Sequence, residues 1–138
     1  MISVNDCRIL EFPKITDPRG ALTPIENSRN VPFDIKRIYY LYDVPGGACR
    51  AGHSHRALQQ VLVAISGSFD VHLHDGSDGK TFTLNRPYQG LYVPRMIWRE
   101  IDNFSSGSVC LSLASEFYDE LDYYRNYEEF LAAVKEQV

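Results

Sequence analysis

The chain has 138 residues, 44% hydrophobic and 23% charged, a balance that fills one packed domain and excludes a disordered tail. Its 18 acidic against 14 basic residues give a net charge of −4, which excludes an overall basic footprint for nucleic acid. The longest apolar run, residues 61–65, is far too short to cross a bilayer, and the N-terminal residues lack the basic-then-apolar pattern of a signal peptide. Cys7, Cys49 and Cys110 are too few and too far apart for a disulfide scaffold or a CxxC metal site. A single cytoplasmic domain over residues 1–138, with reduced thiols, no nucleic-acid partner and no membrane segment, is therefore expected.

In chain order, residues 37–42 (RIYYLY), 60–65 (QVLVAI), 68–74 (SFDVHLH), 80–84, 90–93 and 108–114 are rich in β-branched and aromatic residues and predict strands. Turn clusters at 43–47, 66–67, 75–79, 85–87 and 105–107 separate them. Many short strands at this spacing predict an antiparallel all-β sandwich or barrel, not a parallel βαβ sheet. The segment 117–127, with Tyr118, Tyr123, Tyr124 and Tyr127 among Asp119, Glu120 and Asp122, reads as a surface turn leading into a helix. From 126 to 137, Tyr127, Phe130, Leu131 and Val134 recur at helical spacing between charged residues, so one amphipathic α-helix closes the chain and packs on the outside of the sheets.

The stretch that carries chemistry runs from Gly47 to Gly67. His53 and His55 stand two apart on a strand and so share one face, aimed together into the interior. With Gly47 and Gly67 they resemble the first motif of the cupin family, G-x5-H-x-H-x3,4-E-x6-G, with Gln59 or Gln60 where the glutamate would stand. Residues 90–103 resemble the second motif, G-x5-P-x-G-x2-H-x3-N, through Gly90, Pro94 and Asn103, but the first spacer is shorter, Met96 replaces the inner glycine and Arg99 the histidine. The resemblance implies a jelly-roll barrel. Metal-binding cupins use three histidines and a glutamate. Here glutamine is a weak ligand and Arg99 is a fixed cation that repels a divalent metal, so no metal is expected. The histidines are then free for proton transfer, to which a neutral imidazole is suited. Arg37, Arg50 and Arg99 suit an anionic substrate, because guanidinium groups bind phosphate oxygens bidentately.

Nearly the whole chain resembles the TDP-4-keto-6-deoxyglucose 3,4-ketoisomerases. The likeness is carried by Asp17-Pro18-Arg19-Gly20, residues 31–40, Arg50 to His55, residues 60–63 and 90–93, Phe104-Ser105-Ser106, and residues 113–123. The resemblance implies an isomerase that moves a ketone from C4 to C3 of a TDP-linked 6-deoxyhexose through an enediol, without any cofactor, in the biosynthesis of 3-amino-3,6-dideoxy sugars for lipopolysaccharide O-antigen or S-layer glycans. It implies His53 as the carbon base and His55 as the partner that shuttles protons or polarises oxygens. Arg99 would face the sugar and stabilise enediolate charge, Arg19 would contact the nucleotide, and Arg37, Tyr39 and Arg50 would bind diphosphate or sugar. A homodimer is implied too, with N-terminal strands joining the neighbour's sheet. One base serving both carbons would return the proton on a single face, which favours the gluco-configured 3-keto product. The rivals are a nucleotide-sugar 3,5-epimerase on the same fold, a metal-dependent cupin oxygenase or isomerase, and a non-catalytic sugar- or nucleotide-binding cupin.

Other residues are expected to do less. His72 and His74 should face outward, since Val71 and Leu73 are the natural core residues of that strand. Trp98 is expected to pack, the cysteines to be buried small hydrophobes, and Asp43, Asp75 and Asp78 to serve turns.

Overall fold

The structure is a computed structural model and describes residues 1–137. Its strands are β1 (Arg8–Glu11), β2 (Ile15–Asp17), β3 (Gly20–Leu22), β4 (Arg37–Leu41), β5 (Arg50–His55), β6 (Gln60–Ser66), β7 (Phe69–His74), β8 (Gly79–Leu84), β9 (Gln89–Val93), β10 (Trp98–Asp102), β11 (Val109–Ala114) and β12 (Tyr123–Tyr124). One helix, α1 (Tyr127–Glu136), follows, and short 3-10 turns lie at Val4–Asp6 and Glu120–Asp122. Two five-stranded sheets, ordered β1-β9-β6-β11-β4 and β12-β5-β10-β7-β8, make the jelly roll, and β2–β3 is a separate hairpin. Strand pairing is antiparallel throughout, as in β6 with β11 and β10 with β7. The expected barrel is thus two sheets, without hydrogen bonds closing one onto the other among the described residues.

The core follows strand alternation. On β7, Phe69, Val71 and Leu73 are buried, and His72 and His74 are half-exposed, as expected. They meet Leu62, Ala64, Leu91, Val93, Ile97, Ile101 and Cys110 between the sheets. The run in β6 is buried without alternation because both faces are covered. Leu62 and Ala64 face the inter-sheet core, while Val61 and Val63 pack outward under Phe12, Val31, Phe33 and Ile35. On the second sheet, α1 buries Phe130 against Trp98, Met96 and Tyr124. Asn126 caps this helix, its side chain accepting from the Glu129 N–H at 3.1 Å. Trp98 therefore packs, as expected.

Six strands fall where pattern predicts them, to within a residue or two. The hairpin β2–β3 escapes a pattern reading because every residue in it is exposed. Strand β10 escapes because Arg99, Glu100 and Asp102 hide the inward positions of Arg99 and Ile101. Among the turn aspartates, Asp75 also ties down the N-terminus by accepting from the Val4 N–H at 2.9 Å. Cys7 and Cys110 are buried, with thiols pushed up to about 11 and about 12 by desolvation. Cys49 departs from expectation and is exposed, because it lies in the loop before β5 rather than on an inward strand position.

The motif glycine Gly67 turns the chain from β6 into β7 at φ 69°, and a Cβ there would lie 2.9 Å from the Ser108 Cα. Left-handed strain and a backbone clash act together, so Gly67→Ala is expected to cost about 2–4 kcal/mol of stability. Urea denaturation measures it. A loss below about 0.5 kcal/mol would show that the turn relaxes freely.

Candidate active site

A bulge in β5 prepares the site. Opposite Arg99 stands His53, yet opposite Glu100 stands Ala51, so β5 carries one extra residue at Gly52. Ala51 and Gly52 both take left-handed backbone, at φ 72° and 74°, a conformation that glycine accepts readily and alanine at a cost. Beyond the bulge His53 and His55 are both buried, as their two-residue spacing predicts. The Met96 at the second motif's glycine position keeps a left-handed φ of 61°, and its N–H donates to the His55 carbonyl at 2.9 Å. The turn geometry survives the loss of the glycine because Met96 is packed under α1.

Between the sheets lies a cavity of about 330 Å³. Arg37 and Tyr39 of β4, Arg50 and His53 of β5, Gln60 of β6 and Arg99 of β10 line it, joined by Tyr118, Tyr123 and Arg125. Five of the seven residues expected from sequence thus meet at one wall. His55 stands behind that wall, 1% exposed, its ring 4.8 Å from His53 and 4.4 Å from Tyr123 between centroids. Arg19 stands apart from the other six. It lies at the tip of the exposed hairpin, paired with Asp17 at 2.7 Å, and does not line this chain's cavity, because β2–β3 pairs with neither sheet.

The acid-rich segment before α1 is more than a surface turn. Asp122 accepts from the Ala57 N–H at 2.8 Å and the Leu58 N–H at 3.3 Å, and its Oδ2 lies 3.0 Å from His55 Nδ1. A carboxylate only accepts, so His55 Nδ1 carries the hydrogen and Nε2 keeps its lone pair. Tyr123 packs against both histidines with its ring tilted, and the Arg125 guanidinium lies over the Tyr123 ring at 4.1 Å. Glu120 holds Arg125 through a bond of 2.9 Å and accepts from the Tyr118 hydroxyl at 2.6 Å. These bonds hold the Glu120 carboxyl down at about 2. The interleaving of tyrosines and acids was the sequence signal for this wall. Pattern alone could not show that the segment folds back along β5.

The electrostatics centre on Arg99. Its Nη1 donates to Gln60 Oε1 at 2.6 Å and its Nη2 to the Ile97 carbonyl at 2.9 Å, while its buried Nε has no partner. Burial lowers its pKa to about 10, which leaves it cationic at neutral pH. Desolvation first, and Arg99 second, push His53 down to about 3 and drive His55 in the same direction. Both imidazoles are therefore neutral bases near neutral pH, and the Nε2 atom of each is buried without a partner. This donor set does not fit the metal of three-histidine cupins, since Gln60 and the Arg99 cation hold the remaining ligand positions. Among the described residues no group of three or more His, Cys, Asp or Glu side chains could hold a metal ion. No helix among them is long and apolar enough to cross a membrane.

Comparison with known proteins agrees with this arrangement. The FdtA family model (WxcM-like, C-terminal) matches residues 5–135. Over 123 residues the chain is 46% identical to the TDP-4-oxo-6-deoxy-α-D-glucose-3,4-oxoisomerase of Aneurinibacillus thermoaerophilus, covering 89% of this chain and 88% of the relative. Among solved structures, it is similar to a histidine-to-asparagine variant of the 3,4-ketoisomerase QdtA from Thermoanaerobacterium thermosaccharolyticum, in complex with TDP-4-keto-6-deoxyglucose. The TM-score is 0.93 at 42% identity over 95% of each chain. It is also similar to the WlaRB TDP-quinovose 3,4-ketoisomerase of Campylobacter jejuni, with a TM-score of 0.88 at 48% identity over 92% of this chain and 98% of that one. By fold, by cavity and by a match along almost its entire length, the chain belongs to the FdtA (WxcM-like, C-terminal) family.

Proposed function

We infer that the chain is a TDP-sugar 3,4-ketoisomerase that converts TDP-4-keto-6-deoxyglucose to the 3-keto isomer, the whole chain working as one catalytic domain. The observation that carries the reading is a neutral, buried imidazole, His53, placed across a strand pair from a buried guanidinium, Arg99, in the wall of one cavity. The C4 ketone acidifies the C3 hydrogen. His53 Nε2 takes that proton, and the electron pair moves into a C3–C4 enediolate whose negative oxygen is held by the Arg99 cation. Return of that proton from His53 to C4, with transfer of the O3 proton to the O4 oxyanion, leaves the ketone at C3 and a hydroxyl at C4, so the sugar is its own oxidant and reductant. His55, kept in one tautomer by Asp122, orients His53 and offers a second neutral base behind it. Arg37 and Arg50 at the cavity wall suit the diphosphate. A 3-keto product is the form on which an aminotransferase can place nitrogen at C3, and a cytoplasmic location belongs to the same proposal.

A homodimer completes the reading. Strand β4 is a sheet edge that exposes Ile38 and Tyr40, Tyr42 just after it is exposed too, and the detached hairpin exposes Ile15 and Leu22. Exposed apolar residues on both a sheet edge and a hairpin suit pairing between two copies. Such pairing would carry Arg19 away from its own cavity and towards a neighbour. Sedimentation at micromolar concentration is expected to give twice the chain mass, and a monomeric mass would refute the dimer.

Incubated with TDP-4-keto-6-deoxyglucose, the protein is expected to move the ketone to C3, as read by NMR, whereas an epimerase would leave it at C4. The C4 configuration, from coupling constants after trapping by an aminotransferase, is expected to be gluco. In His53→Asn the turnover is expected to fall by about 10²–10⁴-fold with the fold retained. Full activity would remove His53 from the role of base.

The pH dependence of stability has a definite sign. His53 titrates at about 3 in the folded protein against 6.5 for an unperturbed histidine. Stability is therefore whole above pH 6.5 and is lost as pH falls from there towards 3, by up to about 1.4 kcal/mol per pH unit for this group. Urea midpoints across pH 7 to 5 are expected to fall less steeply in His53→Asn than in the parent. Equal slopes would show that His53 gains its proton without loss of the fold.

A further inference from the structure

The ketoisomerase reading assigns no task to Gln60, one of the most deeply buried polar side chains of the molecule. Its surroundings leave its amide one orientation. Arg99 has donors and no acceptor, so the 2.6 Å contact from Arg99 Nη1 requires the Gln60 oxygen, not its nitrogen, to face Arg99. The amide nitrogen is then turned towards β4 and β11. It donates both its hydrogens, one to the Tyr39 hydroxyl oxygen at 2.7 Å and one to the Ser112 hydroxyl oxygen at 2.6 Å.

This direction of donation decides where the Tyr39 proton goes. Tyr39 accepts from Gln60, so its own O–H is not spent on that bond, and its ring stands in the cavity wall. The Arg99 Nε–H, buried and unpartnered, is a second unspent donor on a side chain of the same wall, and the Arg37 Nε–H is a third. A glutamate at this position would reverse the chain. It would accept from Arg99 and from Tyr39 alike, neutralising the first and drawing the second proton out of the cavity.

Resting on the ketoisomerase reading, we propose that Gln60 is a positioning residue that sets the polarity of an Arg99–Gln60–Tyr39 chain. Arg99 Nε–H and Tyr39 O–H then both donate to the oxygens of the sugar enediolate. Tyr39 is thereby a hydrogen-bond donor to the reacting carbons' oxygens and not a diphosphate contact. Gln60 acts only through its two neighbours.

The test is a double-mutant cycle on the full chain with TDP-4-keto-6-deoxyglucose, following ketone migration by NMR. Tyr39→Phe and Gln60→Glu are each expected to lower kcat by about 10²-fold, the size of effect of removing one oxyanion donor, with KM within about 3-fold of the parent. Combined, they are expected to cost no more than about 3-fold beyond either alone, because the glutamate has already diverted the proton that Tyr39→Phe removes. Losses that multiply to about 10⁴-fold, or a Gln60→Glu variant with parental kcat, would overturn the proposal, and so would a loss confined to KM. If Gln60→Glu does not fold, Gln60→Asn takes its place in the cycle. It keeps the amide but not the reach, and the same non-additivity with Tyr39→Phe is expected. A parent protein that leaves the ketone at C4 would instead overturn the ketoisomerase reading, and this inference with it.

Discussion

The burial of Arg99 is the constraint on which the rest of the site depends. A guanidinium taken out of water loses several kcal/mol of hydration unless its surroundings replace it. Here the replacement is incomplete by construction: an amide oxygen, one backbone carbonyl and no carboxylate, with Nε left over. Burial first, and this unbalanced positive charge second, depress the basicity of both neighbouring imidazoles, and the charge makes the cavity hostile to a metal cation. The same charge favours an anion that forms only during reaction, which is the condition for catalysis rather than tight ground-state binding.

Such a charge can be held only if the polar groups around it are themselves satisfied. Gln60 hands the Arg99 bond on to Tyr39 and Ser112, so three strands of the first sheet are tied to β10 of the second through side chains. The apolar cluster around Phe69, Leu91 and Ile97 packs beside this polar bridge between the sheets. The division gives a wet, charged mouth backed by a dry core. A low effective dielectric behind the site strengthens every interaction at the wall.

The C-terminal segment links stability to chemistry. Helix α1 anchors itself through Phe130 against Trp98 and Tyr124, on the outer side of the sheet whose inner side carries Arg99 and His53. That anchoring holds β12 along the edge of β5, which in turn puts Asp122 against His55 and Tyr123 across both rings. The helix contributes no residue to the cavity wall, yet the tautomer of His55 depends on where it docks.

Much of this was legible in the chain itself. The continuous apolar, β-branched run along residues 60–65 and the alternation along 68–74 marked strands whose apolar residues could only face a core, and the two-residue spacing of His53 and His55 put both rings on one face. These are properties of neighbouring residues, set by backbone geometry, and sequence carries them without help. The exposed hairpin β2–β3 and the charged strand β10 were not legible, because neither has a one-sided burial pattern to reveal it. Nor were the pairings that define the site. Asp122 and His55 are 67 residues apart, Arg99 and Gln60 39 apart, and Gln60 and Tyr39 21 apart. Whether an aspartate in a tyrosine-rich turn faces water or an imidazole depends on strand order and register, here β12 on β5 and β10 beside β5. Local sequence determined which faces the strands present, and only the tertiary structure decided which faces meet.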